Sequence, residues 1–212
     1  LAAATASAPV SVRADPADCA LQFDPVGKTV FDSSCDIAKS YLARAGVTYA
    51  NIAAPAGAVA VVRVGQVELA GFEGGDLPKA EFDARKAAWT QNLATVLSTA
   101  GYPPKADPAQ VNRPMVVGLL WLLVLYVTMV YGPIAAALVE MFPARIRYTS
   151  MSLPYHLGNG WLGGFLPTTA FAMVAATGNI YYGLWYPIVV ATFTAVVGFL
   201  FIKEMKGNRI ED

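Results

Sequence analysis

Residues 148–202 contain no Asp, Glu, Lys or Arg, and a second uncharged stretch, residues 114–139, lies just before them. An apolar run of about 18 or more uncharged residues marks a membrane-crossing helix, because the hydrocarbon core takes roughly 20 helical residues to span. The shorter run has length for one crossing and the longer for two, with a turn between them. The second half of the chain therefore reads as an α-helical membrane protein. Its crossings are expected at about 115–142, 151–176 and 180–202.

Composition supports a division of the chain near residue 112. The whole is 56% hydrophobic and 14% charged, against about 25% charged in an ordinary soluble domain. Residues 1–113 hold ten Lys/Arg and eleven Asp/Glu, and residues 114–212 hold five and four. Neither half has the basic excess of a nucleic-acid binder, so no nucleic-acid partner is expected. Residues 1–14 are rich in Ala, Ser and Pro but lack the charged start and solid apolar core of a signal peptide. The expectation is a piece of a longer protein.

Local signals bound each crossing. Pro114 suits the first turn of a helix, where a missing N–H costs nothing. Gly132-Pro133 is the expected bend, and Pro143 the stop. Thr177-Gly178-Asn179 reads as a tight turn, making the last two spans a hairpin. Arg145 and Arg147 follow the first span, and Lys203, Lys206 and Arg209 follow the third. Two crossings separate these groups, so they share a side, which the positive-inside rule makes cytoplasmic. The turn at 177–179 and residues 1–112 then fall outside.

Both cysteines, Cys19 and Cys35, lie in that exterior segment. A pair 16 apart in an oxidising compartment reads as a disulfide. A metal site or catalytic thiol has less support, since this half has no His and the spacing is not CxxC. No metal or cofactor is expected. The segment itself reads as a small α+β unit. Ser33-Ser34 caps a helix over 35–45 that stops at Gly46. Residues 58–64 and 67–70 form a hairpin about Gly65-Gln66. Phe82, Trp89, Leu93, Val96 and Leu97 recur at helical spacing over 79–100. A Pro-rich linker from Tyr102 leads to the membrane. This unit carries no recognisable active site, and serves as a packed exterior cap or in solute collection or sensing.

Within the membrane, Glu140 stands close to Arg145 and Arg147. A charge at the membrane edge is costly unpaired, so an ion-pair latch at the cytoplasmic end is one reading. Topology determination and lipid-phosphate contact by the arginines is the other. Gly160 and Gly164 form a GxxxG that permits close helix packing, static or sliding. His156 and Asn159, three apart, share a helix face. They either line a polar pathway, with His156 moving protons, or hydrogen-bond between helices.

EMFPARIR followed by YTSMSLPYHLGNGWLGGFLP resembles the segment joining helices ten and eleven of the major facilitator superfamily. It is especially similar to the metabolite:proton symporter group, with its proline/betaine, shikimate, citrate and 2-oxoglutarate carriers. Glu140, Phe142-Pro143, Arg145, Arg147 and the glycines of 158–164 carry the resemblance, together with ATGNIYYGLWYPIVV and LFIKEMKG downstream. It implies that 113–212 supplies the last three helices of the bundle and that 1–112 is an insertion in the loop before helix ten. It also implies a tenth helix beside the pathway, making Tyr126, Thr128 and Tyr131 candidate lining residues. The function it implies is proton-coupled symport of a small organic solute by alternating access, in a bacterial inner membrane. The partners are then solute, protons, lipid and the remaining helices. The competing reading is a membrane-anchored periplasmic sensor or binding domain without transport. An enzyme is not expected, because the spans offer only Glu140 and His156 for acid–base work.

Overall fold

Alternation of apolar and polar residues builds the centre of a small sheet. In β1 (Val10–Ala14) Val10, Val12 and Ala14 are buried while Arg13 is exposed. In β3 (Val61–Val64) Val62 and Val64 point inward and Arg63 outward, as a period of two dictates. The two pair antiparallel with Val10 opposite Val64 and Val12 opposite Val62, so the valines share a face. A hairpin turn with Gly65 at φ +59° leads from β3 to β4 (Val67–Ala70). On the other side of β1, β2 (Ala50–Ala53) pairs in parallel. The order is β2-β1-β3-β4. Sequence reading anticipates the hairpin but neither β1 nor β2.

The computed structural model describes residues 2–104 and 111–202. The described residues of Leu1–Lys105 and Leu166–Ile188 form one compact unit, and those of Ala106–Phe165 and Val189–Asp212 a second. The tail cations Lys203, Lys206 and Arg209 lie outside the described residues, as does linker 105–110.

After the short helix α1 (Ala2–Ser7) and β1, a parallel return to β2 requires a crossover, supplied here by α2 (Ser34–Arg44). Ser33 caps it by accepting from Asp36 N–H at 3.0 Å. Ser34 turns inward instead and accepts from Ala60 N–H at 2.8 Å, tying the helix to the start of β3. Ile37, Ala38 and Leu42 of α2 enter one core with the strand valines and with Phe82, Trp89, Leu93 and Leu97 of α3 (Lys79–Thr99). Trp89 Nε1–H donates to Ala70 O at 2.7 Å, satisfying the polar edge of an otherwise buried ring. Cys19 and Cys35 are joined by a disulfide, with Cα atoms 5.3 Å apart and Cys35 fully buried. Asp36 beside it accepts from Ala20 N–H at 2.9 Å. Burial nonetheless pushes its carboxyl above the usual range. Asp15 behaves oppositely: N–H groups of Ala17 and Gly57, at 2.9 and 2.8 Å, hold it below that range.

The apolar half departs from one expectation. The first span is a single helix, α4 (Arg113–Met141), with Pro133 inside it. Residues 151–176 are not one helix. They divide into α5 (Arg147–Leu157), a π-helical stretch Gly158–Gly163, and α6 (Leu166–Thr177). Gly164 N–H reaches back five residues to Asn159 O at 2.9 Å. Glycines at 158, 160, 163 and 164 explain the break, since each weakens α-helix and permits the wider turn. The last element is α7 (Trp185–Phe201). Among the described residues, two helices are long and apolar enough to cross a membrane, Arg113–Met141 and Tyr182–Phe201.

Candidate functional site

Asn112 starts α4 by accepting from Met115 N–H at 3.1 Å, with Pro114 in the first turn. The helix stops where Phe142 becomes extended ahead of Pro143, a residue that disfavours helix before it. A short turn follows, and Arg147 opens α5. Its Nε–H donates to Phe142 O at 3.1 Å, so this arginine closes the turn by capping the carbonyl just beyond the end of α4.

Facing residues of α4 and α5 enclose a groove of about 340 Å³. Tyr131 and Leu138 contribute from one helix, and Tyr148, Ser152 and Tyr155 from the other. Hydroxyl-bearing side chains on an apolar floor suit a solute or a neighbouring side chain that is itself partly polar.

The sequence-derived candidates distribute unevenly. Tyr131 lines the groove; Tyr126 and Thr128 do not. Thr128 Oγ1 instead donates to Leu125 O at 2.8 Å, a bond within its own helix. His156 is exposed and packs edge-on against the neighbouring Tyr155 ring, with centroids 5.9 Å apart. Asn159 lies in the π stretch, so the His156 and Asn159 pair does not share a regular helix face. A Cβ added to Gly160 would meet nothing within 4 Å, whereas one on Gly164 would strike Gly160 O. The glycine pair thus shapes its own backbone rather than receiving another helix among the described residues. Glu140 and Arg145 are exposed, and among the described residues no ion pair joins Glu140 to Arg145 or Arg147. Sequence reading missed Tyr148 and Tyr155, which line the same groove as Tyr131; their spacing of seven, two helical turns, was the available signal.

Two apolar helices of membrane length, Arg113–Met141 and Tyr182–Phe201, with a short cationic turn after the first, fit a membrane protein. The family described as "Sugar (and other) transporter" matches residues 88–212, and the chain belongs to this transporter family of the major facilitator superfamily. It is 36% identical over 83 residues to a citrate-proton symporter of Klebsiella pneumoniae, covering 39% of this chain and 17% of that protein. It is 34% identical over 96 residues to a Haemophilus influenzae protein named for metabolite transport, covering 42% and 20%. A glycine betaine/proline/ectoine/pipecolic acid transporter of Dickeya dadantii, OusA, is 29% identical over 100 residues, covering 45% and 20%. The chain spans no more than a fifth of the length of these curated relatives. No solved structure matches it.

Proposed function

We propose that this chain forms part of a secondary active transporter that moves a small organic solute together with protons across a bacterial inner membrane. The carrying observation is that the family match, residues 88–212, contains both membrane-length helices and the α4–α5 groove. Symport is inferred from the names of the relatives, one of which is a proton symporter. In this reading 113–212 supplies three crossings, the middle one broken at the π stretch. Irregular backbone is tolerated in a bilayer where other helices or a water-filled cavity cover it.

Residues 1–112 belong on the outer face. Hydrogen bonds from Tyr49 and Asn51 to the end of α6 and its turn support a shared side for the α/β unit and residues 177–179. The disulfide supports an oxidising compartment. The cytoplasmic turn then carries the latch. Glu140 and Arg145 are exposed, free to pair with charges on the remaining helices in one state of the transport cycle.

Proton-coupled uptake into vesicles carrying the full-length transporter, screened over organic acids and zwitterions, tests the reading. An imposed proton gradient should drive accumulation of at least one solute, and a dissipated gradient should abolish it. Failure of every solute would refute symport. Arg145→Ala or Glu140→Gln should slow uptake while leaving the amount of inserted protein unchanged; an unaltered rate would remove the latch.

A further inference from the structure

A helix ends with four carbonyls that have no partner within it. At the end of α6 three carbonyls, two of the helix and one of the turn beyond it, are served by one short segment of the α/β unit. Tyr49 O–H donates to Ala175 O at 2.5 Å, and Asn51 Nδ2–H to Ala176 O at 3.1 Å. Tyr49 N–H donates to Gly178 O at 2.9 Å. The partners are more than 120 residues apart in sequence. One turn earlier, the Arg44 guanidinium sits 5.7 Å above the Phe171 ring.

The fit is close from both sides. Tyr49 is only 4% exposed, and Ala172 and Ala175 are buried. Gly178 has φ +76°, and a Cβ there would run into the backbone oxygen and ring of Tyr49. Only glycine satisfies both the turn and the approach. Burial also holds the Tyr49 phenol well above its usual range, so it remains a donor at any physiological pH.

We propose that Tyr49 and Asn51 form a clasp through which the α/β unit fixes the conformation of the α6–α7 turn and thereby sets the rate of the transport cycle. Alternating access needs helix ends to move. A turn held by three hydrogen bonds to a folded unit moves with that unit or opens the clasp. The unit is therefore a working part of the outer end of this helix pair. The rate consequence rests on the transport reading; the clasp does not.

Two measurements separate them. In the membrane-embedded protein, amide exchange over residues 174–180 should speed by about tenfold in Tyr49→Phe/Asn51→Ala, the loss expected for two hydrogen bonds of ordinary strength. Exchange in β1 and β3 should stay as in the native protein, showing that the unit remains folded. Gly178→Ala, which attacks the same contact from the helix side, should speed exchange at Tyr49. Unchanged exchange over 174–180 in the double variant would overturn the clasp. The double variant should also lower the maximal uptake rate about threefold or more at unchanged half-saturation, as for a gating element. Faster exchange with native uptake would overturn the rate role. Absence of uptake in the native protein, with exchange protection intact, would count against the transport reading and the rate role while leaving the clasp in place.

Discussion

In the α/β unit, large apolar side chains meet one another: Ile37, Leu42 and Leu93 are at most 1% exposed. In α4 the same residue types face outward, with Trp121 65%, Leu123 58% and Val124 59% exposed, and no residue of the helix is buried. The first region closes its core within its own chain and holds it with a disulfide and buried hydrogen bonds. The second is apolar on every side, the pattern of a helix suited to lipid or other helices rather than to water. Hydrophobicity has thus been used twice, once to exclude water by folding and once to select a solvent.

Substitutions of opposite kinds break this contrast. Leu93→Ala should destabilise the α/β unit by about 2–5 kcal/mol, the range for a buried leucine truncated in a packed core. Exchange in β1 and β3 would report it, and an unchanged rate would mean that the core is looser than described. Val124→Lys, near the middle of α4, should raise the cost of membrane insertion by about 3 kcal/mol and leave the α/β unit intact. Insertion assayed by carbonate extraction should fall, and full retention in the membrane would show that α4 does not face hydrocarbon.

The smallest effect sharpens the electrostatics of the first region. Asp15 has its pKa lowered, so its contribution to stability is complete above about 3.9 and lost as pH falls through its lower folded value. Asp36 is raised by burial, so its contribution is present below that ordinary value and fades as pH rises through the folded one. Asp15→Asn should flatten the acid limb of a stability profile. Asp36→Asn should remove the decline on its upper side. Parallel profiles for all three proteins would contradict both assignments.

What was legible in the sequence was local. The spacing of Phe82, Trp89, Leu93 and Leu97 determines α3, and Gly65-Gln66 between β-branched runs marks the hairpin. The alternation Val10-Ser11-Val12-Arg13 was equally regular, but it is only four residues long and follows a stretch of small residues with little strand preference. At four residues and largely exposed, β2 leaves almost no pattern. Hydropathy over 151–176 sums to a span because it is blind to backbone geometry; the glycine cluster was the sign of the interruption. Tyr131 could be chosen from the resemblance, while its groove neighbours depended on how α5 returns against α4. Nothing near Tyr49 announces a partner at Ala175, because sequence patterns carry no information across 126 residues.

β1 sits inside the sheet with a neighbour on each side, yet it is made before either. During synthesis it must wait, with two bare edges, until Ala50–Ala53 and Val61–Val64 have emerged. Non-local pairing of this kind is slow and exposes the nascent chain to mispairing. Trimming the first 14 residues would leave β2 stranded, without a single rung of its ladder.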